Sequence, residues 1–211
     1  MPPSTVGHWT YRSSDDPRLR AKAERLPTAF SVHAEQKPRE RLLLYSMVFA
    51  LAPERCLEIG VRFGGGSRII HAALSDLDHG RLVSVDPFPE PDFDWETIAD
   101  RATLIRGYSP AELPRAMDAA GGMFDFVFVD GDHTEKSCAQ DLEGVAQVTA
   151  PGAYILCHDA YHEPVERAID AAVRTLGYQD CGMVCTTLND GCFVEPNKKV
   201  RYGGVRMLRR T

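Results

Sequence analysis

The chain predicts an α/β protein, a doubly wound and mostly parallel sheet with helices on both faces. Three observations predict it. Short apolar segments recur at 55–59, 81–86, 102–106, 124–130 and 153–157, with helical spacing between them. The connections between them are short, which suits strands joined by crossover helices. Acids stand at or next to the segment ends, Glu58, Asp86, Asp130 and Asp159, where open parallel sheets bind their ligands.

The elements follow in order. Residues 1–14 read as loose chain, and Asp15-Asp16-Pro17 reads as the start of a short helix to about Leu26. Residues 1–37 are thus an N-terminal extension or lid, and 38–211 the catalytic domain. Pro38 opens a helix that runs to about Leu51, with apolar residues spread over more than one stripe, and Pro53 stops it. Strand 55–59 enters a glycine turn and a helix of about 67–78. Strand 81–86 leads to a loop punctuated by Pro87, Pro89 and Pro91 and a short helix near Trp95–Asp100. Strand 102–106, a helix from about Pro110 to Ala119 and strand 124–130 follow. Helix 134–148 buries Cys138, Leu142 and Val145 on one stripe, with Glu135, Asp141 and Glu143 off it. Pro151-Gly152 turns into strand 153–157, and a helix of about 164–176 comes next. The tail, about 179–208, reads as two or three strands with a turn at Asn189-Asp190-Gly191, which brings the sheet to seven.

Composition excludes several classes. With 211 residues, 44% hydrophobic and 26% charged, one soluble domain is the expectation. A formal charge of −6 argues against nucleic acid as a partner. No apolar run approaches a membrane span and the N-terminus has no secretory pattern, so the reading is cytoplasmic. The six cysteines are scattered, without the paired spacing of a zinc site. After Glu195 the chain holds no acid but Lys198, Lys199, Arg201, Arg206, Arg209 and Arg210. That reads as a solvated terminal strand, or as a contact with an anion or with a second subunit of a homo-oligomer.

The segment Arg55-Cys-Leu-Glu-Ile-Gly-Val-Arg-Phe-Gly-Gly-Gly-Ser67 has the order strand, acid, glycine cluster, helix. Such a turn brings backbone N–H groups and a helix N-terminus to a nucleotide-sized ligand. The G-x-G-x-x-G of dinucleotide sites is missing, and so are the phosphate-binding G-x-x-x-x-G-K-[ST] and the G-x-S-x-G nucleophile turn. What stands there is E-x-G-x-x-x-G, Glu58 to Gly64, with Asp86 closing the next strand. Over about residues 38–195 the chain resembles the class I S-adenosylmethionine-dependent methyltransferases. Asp130-Gly131-Asp132-His133 and His158-Asp159 resemble the D-G-D-H…H-D signature of its small-molecule O-methyltransferases.

The resemblance implies a Rossmann-like seven-stranded fold and S-adenosylmethionine as cofactor. Gly60, Gly64, Gly66 and Ser67 would face its amino acid end, with Glu58 on the ammonium. Asp86 would take both ribose hydroxyls, Ser109 would lie by the adenine, and Asp130 would close the cofactor site. Glu58 can equally cap the helix at Ser67, and Asp86 can be a turn residue before Pro87. The implied activity is O-methylation of a small hydroxylated molecule, a sugar or phenolic natural product. Asp130, His158 and Asp159 would hold a divalent metal, magnesium or manganese, although the family's usual acid–acid or acid–amide pair is His158-Asp159 here. Asp132, His133 or His158 would remove the proton. His162 and Glu163 read as a helix start, and His8, His33, His71 and His79 as surface or scaffold. Two other classes share these features: an enzyme of this fold with hydroxylation-associated chemistry, and a non-catalytic S-adenosylmethionine-binding partner protein.

Overall fold

The computed structural model describes residues 21–195 and 198–211, with the side chains of 189–199 outside that description. Five parallel strands form one half of the sheet: β1 (Arg55–Ile59), β2 (Arg81–Asp86), β3 (Ala102–Arg106), β4 (Phe124–Val129) and β5 (Thr149–His158). An antiparallel pair, β6 (Tyr178–Glu195) and β7 (Lys198–Arg210), completes it beside β5. The seven strands run in the order β3-β2-β1-β4-β5-β7-β6. This is the seven-stranded α/β, Rossmann-like methyltransferase fold.

Strand alternation builds two cores. On one face Leu57, Ile59, Val127 and Val129 pack under α4 (Leu113–Ala120), α5 (Glu135–Val148) and α6 (Glu163–Thr175). On the other, Cys56, Phe126 and Phe128 pack under α1 (Thr28–Ser31), α2 (Pro38–Leu51) and α3 (Gly65–Leu77). The α5 stripe of Cys138, Leu142 and Val145 is buried as the periodicity predicts. Asp141 is buried as well, against expectation, because it turns toward the sheet rim.

Several boundaries move. The N-terminal helix was expected to start within residues 1–20, which lie outside the described residues; 21–27 are irregular chain and turn. Helix α3 starts two residues early because Gly64, at φ 80°, already serves as its N-cap. Helix α4 starts three residues late, after a turn at 109–112. Strand β5 starts at Thr149, since Phe124 pairs with Thr149 before the register shifts to Phe126 with Tyr154. The tail is two strands, and Asn189-Asp190-Gly191 is no turn. It lies inside β6, where Asn189 is opposite Tyr202 and Asp190 opposite Arg201. Two of the tail's arginines are paired within the chain. Arg206 pairs with Asp170 and Asp180, each at 2.7 Å. Arg210 donates to the carbonyls of Leu176 and Gly177.

Strand order reverses between β1 and β4, and a cavity opens at the carboxyl ends there. The close approach of the two strand ends rests on Gly60. The Asp130 N–H donates to the Ile59 carbonyl at 2.8 Å and the Gly60 N–H to the Val85 carbonyl at 3.0 Å. Gly60 stands at φ 90°, and a Cβ there would lie 2.0 Å from the backbone oxygen of Asp130. Gly60→Ala must therefore part β1 from β4 or unwind the turn. The expected cost is about 3–5 kcal/mol in urea unfolding, and a loss under about 1 kcal/mol would refute this account of the junction.

Candidate active site

The cavity measures about 1200 Å³, room for a cofactor and a second small molecule. One wall is the glycine turn with Glu58, Gly60, Gly65 and Gly66; Asp86, Phe88, Tyr108 and Ser109 continue it. The opposite wall holds Asp130, Asp132, His133, His158, Asp159 and Tyr202, with His33 to Lys37 along one side. Among the predicted cofactor residues, Glu58, Gly60, Gly66, Asp86, Ser109 and Asp130 line it, and Gly64 and Ser67 do not. Gly64 faces the Phe93 ring, and Ser67 is fully buried behind the turn.

Glu58 occupies a core position on the α3 face of β1 and is 1% exposed. Its Oε2 accepts from the Ser67 hydroxyl at 2.5 Å and the Ser84 hydroxyl at 2.7 Å. Its Oε1 lies against Gly66, where any Cβ would come within 2.4 Å. Burial raises its pKa to about 7, against the two hydroxyls that lower it. Asp86 is a turn residue as well as a ligand candidate. Its Oδ2 accepts from the N–H groups of Val61 at 2.7 Å and Arg62 at 3.0 Å, and its Oδ1 from that of Phe88 at 2.7 Å. With about four lone-pair sites on a carboxylate, one is left for a ligand, not the two expected.

The opposite wall is a charged network. His158 sits 6% exposed, with Nδ1 at 3.0 Å from Asp130 and 3.3 Å from Asp159, and Nε2 at 3.2 Å from Glu40. Burial opposes its charge, but Asp130 foremost, with Asp159 and Glu40, holds it well above the ordinary imidazole pKa. Its two ring nitrogens both face carboxylates, Asp130 and Asp159 on one side and Glu40 on the other. Asp159, at φ 52°, also accepts from the Gly203 N–H. Burial would raise its pKa, yet His133 and His158 keep it well below the usual range.

The set that converges is Asp130, His133 and Asp159, whose ligand atoms lie within 4.8 Å of one another. His133 Nε2 is 2.9 Å from Asp159 and 3.9 Å from Asp130. It is buried and makes no well-directed hydrogen bond. Burial lowers its pKa, but Asp159 and Asp130 prevail and raise it. An imidazole nitrogen between two carboxylates suits a divalent cation. Asp132 accepts from the Thr134 hydroxyl at 2.8 Å; burial pushes its pKa up, and Ser137 and Thr134 bring it below the ordinary value. Its work is to shape the turn into α5, where Thr134 is the N-cap.

Sequence reasoning missed Glu40, Gln36, Asp141 and Tyr202. Glu40 is 2% exposed and also accepts from the Gly204 N–H at 2.9 Å and the Lys37 N–H at 2.7 Å. The signal was present: Glu40 is an acid at the third position of α2, on the buried face it shares with Leu44 and Val48. Asp141 lines the cavity, and burial raises its pKa to about 6. His33, read as surface, lines the cavity too and lies 2.8 Å from Asp92. His162 is the N-cap residue of α6 and stacks on Tyr202 with ring centroids 4.7 Å apart.

Glu58 gives a signed pH prediction. Its folded pKa is raised, so its contribution to stability is fully present below its unfolded value of 4.5 and is lost as pH rises through about 7. Between pH 5 and 8 the wild type should lose about 2–3 kcal/mol relative to Glu58→Gln in urea unfolding. Parallel pH profiles of the two proteins would overturn the assignment.

Comparison with known proteins agrees with the fold. Residues 57–160 match a family model described as a methyltransferase domain. An O-methyltransferase from Bacillus cereus, solved in complex with SAH, superposes with TM-score 0.65 at 16% identity, over 96% of this chain and 94% of its own. The O-methyltransferase TomG from Streptomyces achromogenes, involved in tomaymycin synthesis and solved with SAM, gives 0.57 at 19% identity, over 96% and 92%. The SAH-bound methyltransferase PaMTH1 from Podospora anserina gives 0.59 at 15% identity, over 94% and 89%. The chain thus has the fold of these methyltransferases, and residues 57–160 match a methyltransferase domain.

Proposed function

We propose that the protein transfers the methyl group of S-adenosylmethionine to a hydroxyl of a small molecule, a sugar or phenolic natural product, with a divalent ion at Asp130, His133 and Asp159. One observation carries the reading: a single cavity joins the glycine turn and Asp86 to the Asp130–His133–Asp159 cluster. The similar structures of Bacillus cereus and Streptomyces achromogenes are those of O-methyltransferases, which supports the reaction type.

Glu58 and the turn at Gly60 and Gly66 would receive the amino acid end, with Gly64 and Ser67 shaping that turn from behind. The cofactor ammonium beside Glu58 would favour its ionised form. Asp86 would accept one ribose hydroxyl, and Ser109 would border the adenine. Removing Asp86 removes a charged acceptor, so Asp86→Ala should weaken S-adenosylmethionine binding by about tenfold or more in calorimetry. Unchanged affinity, or no binding by the wild type, ends the cofactor reading.

Asp130, Asp159 and the open His133 nitrogen would hold the metal, a set suited to manganese as well as magnesium. A bound ion would lower the pKa of an acceptor hydroxyl beside the methyl group. Asp130 and Asp159 fix the acceptor oxygen near the cofactor, and His158 keeps both carboxylates in place. The 2.9 Å approach of His133 to Asp159 favours one second reading, in which His133 takes the proton and no metal is used. The same nitrogen cannot do both. Chelator should lower turnover by more than about a hundredfold, and Asp159→Asn should copy the effect. Full turnover in chelator, abolished by His133→Gln, would establish the second reading. Oxidised rather than methylated product would replace both with hydroxylation-associated chemistry.

A further inference from the structure

Two imidazoles face the same two carboxylate oxygens at the cavity rim. His158 Nδ1 lies 3.0 Å from Asp130 Oδ1 and 3.3 Å from Asp159 Oδ2. His133 Nε2 lies 2.9 Å from that same Asp159 oxygen and 3.9 Å from that same Asp130 oxygen. The four atoms alternate nitrogen and oxygen around a ring, and all four residues line the cavity. Neighbouring ligands on an ion with bonds of about 2.1 Å stand about 3.0 Å apart in an octahedron and about 3.4 Å apart in a tetrahedron. Three of the four edges, at 2.9, 3.0 and 3.3 Å, have that spacing.

Three of the four donors are aimed into the ring by a group behind them. Gln36 Nε2 donates to the other oxygen of Asp130, Oδ2, at 2.6 Å. The Gly203 N–H donates to the other oxygen of Asp159, Oδ1. Glu40 Oε2 meets the far nitrogen of His158, Nε2, at 3.2 Å. Glu40 is itself held by the N–H groups of Lys37 at 2.7 Å and Gly204 at 2.9 Å. Metal-bound histidines and carboxylates are oriented by such partners. A carboxylate only accepts, so Glu40 keeps a proton on Nε2 and leaves Nδ1 as the coordinating atom. An ion entering the ring displaces the Nδ1 proton and takes over its task of neutralising Asp130 and Asp159.

Two imidazoles also change which ion the ring suits. Imidazole nitrogen favours iron(II), cobalt(II) and zinc, whereas magnesium takes oxygen ligands and keeps several of its waters. We propose that the rim binds a first-row transition ion in preference to magnesium, through His133 Nε2, His158 Nδ1, Asp130 Oδ1 and Asp159 Oδ2, with Glu40 as the positioning residue that makes His158 a ligand. This rests on the metal reading of the cavity. It adds a fourth donor, the class of ion, and a role for a helix α2 residue that does not itself line the cavity.

The tests use the full chain without a methyl acceptor. In isotope-labelled protein loaded with one equivalent of zinc, NMR of the ring nitrogens should show two zinc-bound imidazoles. The one lost in His158→Asn should be bound through Nδ1 and protonated on Nε2. In calorimetry, Glu40→Gln should weaken cobalt(II) binding by about tenfold to a hundredfold. His158→Asn puts an amide oxygen in place of the nitrogen, so the ratio of cobalt(II) to magnesium affinity should fall by about tenfold or more. S-adenosylmethionine affinity of the metal-free protein should stay within about twofold in both variants. A loss of cofactor affinity as large as the loss of cobalt(II) affinity would make Glu40 a structural residue only and overturn its assignment. A single zinc-bound imidazole, zinc on Nε2 of His158, or equal losses for both ions in His158→Asn would overturn the proposal and leave a metal at the site. The number of bound rings is read on the wild type, so it decides even where a variant fails to fold. Binding of none of these ions by the wild type would refute the metal reading itself.

Discussion

The His158 ring, enclosed by Asp130, Asp159 and Glu40, makes the contacts on which the site depends. It joins four parts of the chain: the end of β4, the end of β5, the first turn of α2 and, through Glu40 and Asp159, the backbone of β7 at Gly203 and Gly204. Burying such charges is costly, and removing one member of the network would leave the others uncompensated. The network is therefore better understood as a positional constraint than as a source of stability. It holds Asp159 at a left-handed backbone angle that a non-glycine residue adopts only when its surroundings enforce it. It also ties the antiparallel β6–β7 pair to the rim. Glycines 203 and 204, both at positive φ, present adjacent N–H groups to Asp159 and Glu40.

The rim gathers three carboxylates, Asp130, Asp159 and Glu40, around the one ring of His158, so it is rich in acidic groups. That field raises the pKa of His133 and draws its nitrogen to Asp159. It would equally draw a metal ion or a substrate proton.

The sheet was legible because its signal is local. Apolar runs such as Phe126-Val127-Phe128-Val129 and the stops at Pro53 and Gly60 fix strand and turn within a few residues. Where local signals misled, tertiary pairing prevailed: Asn189-Asp190-Gly191 has turn chemistry, yet the register with β7 carries the strand through it. Of the candidate site, Glu58, Asp86, Asp130, His133 and Asp159 could be placed at or next to strand ends from sequence, and they line one cavity. Glu40 could not, because its partners His158 and Gly204 stand 118 and 164 residues away.

The same distinction between local and distant contacts separates the two ways in which residues 33–37 close the cavity. At the surface, Glu35 pairs with Arg62 at 2.7 Å and His33 with Asp92 at 2.8 Å. Both pairs are substantially exposed, and such contacts contribute about 0–1 kcal/mol each. Beneath them Ala29, Val32 and Ala34 are buried in the α2–α3 core, and Arg41 binds the segment's carbonyls. The apolar and guanidinium contacts therefore fix where the segment lies, and the surface pairs adjust it. A segment fixed in this way acts as a wall of the site. Its polar groups are set before any ligand arrives, so the shape of the cavity does not have to be assembled by a ligand.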